Sequence, residues 1–425
     1  MAGYIFIVFI IALVLNLPIA ISLGIAAAAF TLFFSTLPID LIIQAYISGV
    51  DSFPLLAVPF FILAGDIMVE GGISSRLVRF SMSLMKNTYG ALGLVTVLTA
   101  AIFAAISGSG PATVACVGGI MIPAMVRNGY DRSFSCALVA SAGTLGPVIP
   151  PSICFIIYGI VAQQSITDLF IAGIIPGLLM AGALMLVVRF VAKRHKYGAS
   201  TETISVRVAF HEAKWSLLVP GIILGGIYGG IFTPTEAAVV ACMYAIIIGI
   251  FVYKEISFKD LYPIFARTAL VNGTVLILVA TATAFGRILA MEQVPGYLAE
   301  QLMALSNNKY VILMLINVFL FFVGMVMETL AAVIILAPLC LSIVLPLGVN
   351  PIHFGVIMTV NLVIGMCTPP VGVNLFVAAR IGGVPIEVMF KWLGVMLGSL
   401  IVVLMLVTYV PQLSLALPNL MHMVR

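Results

Sequence analysis

The sequence predicts an all-α integral membrane protein made of two inverted structural repeats, and three observations predict it. Of its 425 residues, 63% are hydrophobic and 8% charged, where a soluble domain carries about 25% charged residues. The few charges leave long uncharged runs, among them 3–39, 133–167 and 329–379, each long enough for one or more crossings at about 20 apolar residues apiece. Landmarks also recur in order. Pro18 and Pro234 are 216 positions apart, as are Gly108 and Gly324, and Pro123 and Pro338 are 215 apart. The G-x-x-x-P-P runs that begin at Gly146 and Gly365 are 219 apart. Residues 1–190 and 215–425 are therefore the two halves. The polar linker between them, 191–214, is too short to bury a core.

The elements follow within each half. Residues 3–39 hold two short spans joined near Leu17-Pro18, and 215–253 hold two more joined at Thr233-Pro234. Next comes an arm lying flat in the interface, at 40–51 and again at 256–267, where apolar and charged positions mix. A further span covers about 55–80 and 268–303. The uncharged run 87–126 is too long for one crossing, because 40 helical residues reach about 60 Å, twice the bilayer core. Its centre, Ser107-Gly108-Ser109-Gly110-Pro111, cannot continue a helix. This makes about 87–127 a re-entrant hairpin, followed by a broken helix at about 132–166. The second half repeats the pair as a hairpin at about 307–350 and a broken helix at about 353–380. The whole comes to about ten full crossings, two re-entrant hairpins and two broken helices.

Charge placement sets the topology. Five full spans per repeat is an odd number, so the second repeat is inverted relative to the first. With the N-terminus outside, every Lys and Arg except Arg287, Lys309 and Arg425 falls on the cytoplasmic face, as the positive-inside bias requires. Reading 87–126 as two full spans would put the basic linker on the wrong side. Both termini are therefore expected in the periplasm. The start, Met1-Ala2-Gly3-Tyr4, lacks the basic region of a secretory signal, so retention of the N-terminus is expected.

Several function classes fall away. A net charge of +4 provides no extended nucleic-acid surface, and no G-x-x-x-x-G-K is present to cradle a nucleotide. The six cysteines lie apart in apolar runs without C-x-x-C and read as small apolar fillers. Ser107 and Ser109 would need a general base to act as nucleophiles. His195 and His211 lie in the linker, His353 beside an outer turn and His422 at the C-terminus. No catalytic residue and no enzymatic activity are expected.

The candidate sites lie where the main chain is broken at membrane depth. Unpaired backbone groups cost several kcal/mol each in hydrocarbon, so such breaks mark places where freed carbonyls have a use. Pro150 and Pro151 each lack an amide donor and leave upstream carbonyls without helical partners. Oxygens of this kind bind hard cations such as Na+, and the Ser107 and Ser109 hydroxyls can complete a shell. The inverted copy sets the 324–328 tip against Gly365 and Thr368. Two cation sites follow as an expectation, against the plain alternative that Gly and Pro merely allow packing and bending. Half-helices starting after Pro151 and Pro370 would aim positive dipole ends at one place, making Ser152 and Asn374 candidate substrate contacts. Among the buried charges, Thr233-Pro234-Thr235-Glu236 has the form of a capping box. Glu328 either pairs locally or faces the site. Arg287 either receives a substrate carboxylate or pairs with an acid. Asp66 and Glu70 are met by solvent or by Arg76.

These residues resemble those of a known family. Leu63-Ala64-Gly65-Asp66-Ile67-Met68 with Gly71-Gly72-Ile73-Ser74, Ser107-Gly108-Ser109-Gly110-Pro111-Ala112, Gly146-Pro147-Val148-Ile149-Pro150-Pro151-Ser152, Gly229-Gly230-Ile231-Phe232-Thr233-Pro234-Thr235-Glu236 and Thr368-Pro369-Pro370-Val371-Gly372 are similar to the large membrane subunit of tripartite ATP-independent periplasmic (TRAP) transporters, across essentially the full chain. The resemblance implies an elevator-type, Na+-coupled importer of organic acids, sialic acid or C4-dicarboxylates among them, in a bacterial inner membrane. It implies at least two Na+ ions. The first would be held by Ser107, Gly146, Ile149 and Pro151, with Ser109 beside them, and the second by Gly324, Met327, Gly365 and Thr368. It also implies two partners, a small four-helix membrane subunit and a periplasmic substrate-binding protein. Some members carry the small subunit fused at the N-terminus, and here a separate one is expected. The second hairpin tip, Val323-Gly324-Met325-Val326-Met327-Glu328, lacks the hydroxyls of the first, so its shell would lean on backbone oxygens. A stand-alone Na+/dicarboxylate symporter of related hairpin architecture is the alternative, and a membrane scaffold without transport is a third.

Overall fold

The computed structural model describes residues 3–35, 38–85, 88–198, 205–306 and 308–424. Lys86, Arg425 and part of the linker, 199–204, to which the topology argument assigns sides, lie outside the described residues. Among the described residues every regular element is helical. The first half runs α1 (Gly3–Val14), α2 (Ile19–Phe34), α3 (Asp40–Val50), α4 (Ala57–Glu70), α5 (Ile73–Leu84), α6 (Ala91–Ser107), α7 (Gly110–Arg127), α8 (Arg132–Ala142), α9 (Ile153–Val161) and α10 (Ile166–His195). The second runs α11 (Val206–Tyr228), α12 (Pro234–Ile247), α13 (Phe258–Met291), α14 (Val294–Leu305), α15 (Lys309–Val326), α16 (Thr329–Val344), α17 (Pro351–Gly365), α18 (Val373–Gly382), α19 (Phe390–Tyr409) and α20 (Gln412–Val424). Seven described helical segments are long and apolar enough to cross a membrane, and two of them, Gly110–Arg127 and Lys309–Val326, are hairpin arms. The remaining crossings rest on shorter apolar helices such as Gly3–Val14 and Ile19–Phe34.

Two stretches differ from the sequence reading. The span expected at 55–80 stops at Glu70, and α5 starts afresh after Gly71-Gly72. Gly72 is left-handed, with φ 72°, and a methyl on Gly71 would lie 2.8 Å from the Ile67 carbonyl and 3.4 Å from the Cα of Gly249. The turn is therefore fixed by close approach to the end of α12. In the second half, arm and span are a single helix, α13, of 34 residues. It starts with the Ser257–Asp260 capping box and ends at Met291, two residues before Gln293, where φ is 55°. In the first half, Ser52-Phe53-Pro54 separates arm from span. Arg267-Thr268-Ala269-Leu270 has no Pro or Gly at which to stop.

The two halves interlock reciprocally. α2 packs on α13 of the other half, and α12 packs on α4; α7 packs on α18, and α16 on α9. That exchange is what a two-fold relation between repeats requires. Apolar side chains have little to gain from leaving lipid, so close approach of small residues does the packing. A methyl on Gly49 would sit 2.7 Å from the Thr283 hydroxyl, and one on Gly24 3.2 Å from the Thr281 methyl. Small residues of α2 and α3 thus let α13 come close. Tyr158, Phe155, Phe170 and Phe354, all fully buried, fill the space where α9, α10 and α17 meet.

Candidate cation and substrate site

Both hairpins turn within two residues. α6 ends at Ser107, and Gly108, with φ 60°, donates its N–H to the Ala104 carbonyl at 3.1 Å. Ser109 is extended and the next helix begins at Gly110-Pro111, where the missing proline amide costs nothing. At the second tip Met327 is extended and Glu328 caps α16, its carboxylate accepting from the N–H groups of Leu330 at 3.1 Å and Ala331 at 3.3 Å. Glu328 thus makes a local cap and also lines the cavity described below.

Each tip meets a broken helix. Between α8 and α9 the chain passes through Gly143–Leu145 and Gly146 to a cis Pro150-Pro151 bond; between α17 and α18 it passes through a cis Pro369-Pro370 bond. A methyl on Gly146 would collide with the Ser109 carbonyl and lie 2.9 Å from the Thr113 hydroxyl, and one on Gly108 would lie 2.7 Å from the Pro151 carbonyl. The Ile153 N–H donates to the Gly108 carbonyl at 3.4 Å. Tip and break are in main-chain contact, which only glycine permits. In the second half Gly324 and Gly365 meet in the same way, a methyl on Gly365 lying 2.5 Å from the Gly324 carbonyl carbon. The Val371 N–H donates to the Met325 carbonyl at 3.1 Å.

Of the residues expected around a first cation, Gly146 meets Ser109 and Pro151 meets Gly108 beside Ser107, while the Ile149 side chain packs on Gly177. The Ser107 hydroxyl lies 3.1 Å from that of Thr113, which donates to the Ser109 carbonyl at 2.8 Å. Among the described residues the carbonyls of Gly146, Ile149 and Pro151 accept no backbone hydrogen bond. In the second set Gly324 meets Gly365, with a difference: the Gly365 carbonyl accepts from the Thr368 N–H at 2.8 Å, and the Thr368 hydroxyl donates to the Ile364 carbonyl at 3.1 Å. Both groups offer neutral oxygens, a donor type that suits hard cations rather than soft metals. Among the described residues no cluster of His, Cys, Asp and Glu could hold a metal ion.

Beside the tips opens a cavity of about 660 Å³, within the range of small-molecule sites. α2, α4 and α13 form one side, through Pro18, Ile62, Asp66, Arg267 and Val271; both tips form the other, through Ser107, Ser109, Glu328 and Leu330. Three of the expected contacts lie elsewhere. Ser152 is fully buried as the N-cap of α9, its hydroxyl accepting from the Phe155 N–H and donating to the Pro147 carbonyl. Asn374 is equally buried and donates to the Ala140 carbonyl at 3.4 Å, its amide packed on Gly110 and Gly143. It joins α18 to the first hairpin. Arg287 lies in a separate crevice with Thr31, Leu41 and Ile42.

The cavity also holds residues that sequence reasoning passed over. Arg267, counted only as a cytoplasmic charge, stands in the wall, 3.8 Å from Asp66 and 3.3 Å from Glu70. Asp66 further accepts from the Thr268 hydroxyl at 2.7 Å. Arg76 is not their partner: it pairs with Glu255 at 3.1 Å, because α5 turns away at Gly72. Thr113 was missed as well. Its place four residues after Ser109, the N-cap of α7, was the available signal. The Thr233–Glu236 capping box is present as expected, with Glu236 accepting from the Thr233 N–H at 2.7 Å.

Known proteins give this geometry its family. The chain is 46% identical over 404 residues to the isethionate TRAP transporter permease protein DctMQ of Oleidesulfovibrio alaskensis, covering 94% of this chain and 64% of that one. The chain thus spans somewhat less than two thirds of that relative's length. It is 38% identical to the C4-dicarboxylate TRAP transporter large permease protein DctM of Rhodobacter capsulatus, over 97% of this chain and 98% of the other. It is also 38% identical to the sialic acid TRAP transporter large permease protein SiaM of Vibrio cholerae, over 95% of each. Two solved transporters share the fold. The YdaH transporter of Alcanivorax borkumensis has a TM-score of 0.64 at 18% identity, covering 97% of this chain and 100% of that one. MtrF of Neisseria gonorrhoeae has 0.65 at 12%, covering 96% and 95%. The family described as the DctM component of tripartite ATP-independent periplasmic transporters matches residues 6–413, and the chain belongs to it.

Proposed function

We propose that the chain is the translocating subunit of a Na+-coupled importer of an organic acid, working as an elevator in a bacterial inner membrane. The observation that carries this reading is the paired contact of glycine main chain, Gly146 against Ser109 and Gly365 against Gly324, beside a cavity fit for a small acid. One Na+ would be held by Ser107, Gly146, Ile149 and Pro151, with Ser109 and Thr113 adjoining, and a second by Gly324, Met327, Gly365 and Thr368. A bound cation would draw each tip onto its break and supply positive charge next to the cavity. The hairpins and broken helices, one wall of the cavity, would slide past α2 and α13, the other wall. The substrate belongs with those named for the relatives: isethionate, C4-dicarboxylates or sialic acid. A small membrane subunit and a periplasmic binding protein would complete the transporter, with both termini of this chain in the periplasm.

The test is uptake of labelled acids into proteoliposomes under a Na+ gradient, with and without the small subunit and the receptor. We expect uptake that requires Na+ and the receptor and that falls sharply in Ser107→Ala and Gly146→Ala. Uptake unchanged when K+ replaces Na+ would sink the coupling. Uptake by this chain alone would point to a stand-alone symporter.

A further inference from the structure

A second pocket, away from the cavity, lies where α5 and α11 meet beside the end of α12, and transport gives it no task. We propose that it binds the phosphate of an anionic membrane lipid. The pocket holds about 370 Å³, and three cations, Arg76, Arg79 and Lys214, line it against one carboxylate, Glu212. Arg76 is committed: its guanidinium lies 3.1 Å from Glu255 and 3.8 Å above the Tyr253 ring. Arg79 reaches Glu212 at 3.4 Å while its side chain is 62% exposed, a loose pair that an incoming anion can share. Lys214 has no carboxylate within ion-pair distance among the described residues. Its ammonium stands 3.4 Å from His211 Nε2 and 5.4 Å from the Trp215 ring.

The depth of the pocket selects the anion. Trp215 opens the uncharged run 215–235, and tryptophan at such a border marks the level of lipid headgroups. Leu218, one turn further along α11, and Phe251 and Val252 beyond α12 are exposed apolar side chains next to the basic pocket. They offer acyl chains a surface while the headgroup sits on Lys214 and Arg79. Basic pockets between membrane helices bind phosphate headgroups in this way. The inference rests on the membrane fold and does not depend on the transport reading.

Titration of the purified, delipidated chain in detergent tests it, with the melting temperature as readout. The probes are dioctanoyl-phosphatidylglycerol, dioctanoyl-phosphatidylcholine and inorganic phosphate. We expect saturable stabilisation by the phosphatidylglycerol, with the phosphatidylcholine about tenfold weaker and phosphate alone without effect. Lys214→Gln and Arg79→Gln should each weaken phosphatidylglycerol binding about fivefold, the effect of one surface cation, while Arg194→Gln in the last turn of α10 leaves it unchanged. Arg79 is exposed and Lys214 half-buried, and equal melting of the lipid-free variants and the parent checks that they fold. Equal affinity in parent and both variants, or an equal loss in Arg194→Gln, would overturn the site. Equal binding of the phosphatidylcholine would overturn the need for a net anion. Stabilisation by inorganic phosphate at comparable concentration would make the occupant a soluble phosphate and overturn the lipid.

Discussion

Gly365→Ala puts the meeting of hairpin tip and broken helix under direct test. The added methyl would lie 2.5 Å from the Gly324 carbonyl carbon, 2.6 Å from its Cα and 2.9 Å from its oxygen. Ordinary contact begins near 3.4 Å, so the second tip must retreat by about 1 Å. The obstacle is main chain, so no rotamer change relieves it. Overpacking of this kind costs about 1–3 kcal/mol. The retreat also stretches the Val371 N–H to Met325 carbonyl bond from 3.1 Å beyond useful length, at about 1 kcal/mol. A total of roughly 2–4 kcal/mol follows, together with displaced carbonyls and a higher Na+ concentration for half-maximal uptake. Gly119→Ala is the control. Nothing lies within 4 Å of a methyl there, and the position is inside α7, so stability should hold or rise by up to about 1 kcal/mol. Unfolding in detergent and Na+-dependent uptake in proteoliposomes measure both. If Gly365→Ala melts with the parent protein and keeps its Na+ dependence, the tip does not lean on the break and the reasoning fails.

Three further outcomes are expected. Arg267→Gln removes the only cation, among the described residues, from a cavity wall that also carries Asp66 and Glu328; the KM for an acidic substrate should rise about tenfold, equivalent to about 1.4 kcal/mol, and Arg267→Lys should recover part of it. Unchanged KM in Arg267→Gln would exclude Arg267 from substrate recognition. Ser152→Ala, which removes a buried cap and its bond to Pro147, should lower stability by about 1–2 kcal/mol and leave KM alone; a KM change without a stability change would restore Ser152 as a substrate contact. Asp131, in the turn between α7 and α8, is burdened by burial, yet hydrogen bonds from the Ser133 side chain, the Phe134 N–H, the Trp392 indole and the Ser133 N–H outweigh this and hold its carboxyl below the usual range. A carboxylate depressed on folding stabilises above its unfolded pKa of about 3.9, and that contribution disappears as pH falls through the lower folded value. Melting followed from neutral to acid pH should therefore show a loss beginning below about pH 5 that Asp131→Asn makes smaller; an identical acid profile in the variant would refute it.

The reach of sequence reasoning can be seen residue by residue. Ser107-Gly108-Ser109-Gly110-Pro111 could be recognised as a hairpin tip because its residue types forbid a continuous helix, and Thr233-Pro234-Thr235-Glu236 as a cap because the bond is local. Asp66 was left to solvent or to Arg76, and its partner is neither. Its partner Arg267 is 201 positions away, and only the packing of α4 against α13 brings the two together. Ser152 and Asn374 were placed near a ligand by dipole direction. In the fold Ser152 caps α9 and the Asn374 amide donates to the Ala140 carbonyl while its Oδ1 is buried without a partner among the described residues, a placement set by neighbours that a linear pattern does not name.

By itself, the sequence determined that this protein lies in a membrane, that it is written twice, and where its helices break, since those outcomes depend on side-chain hydration and on which residues lack an amide donor or a Cβ. Tertiary structure alone decided how closely each tip approaches its break, that Arg267 pairs with Asp66, and that Arg267 and Glu328 share a cavity. The physical reason is range: helix breaking acts over a few residues, while a cavity wall and an ion pair form between segments that become neighbours only when the halves interlock.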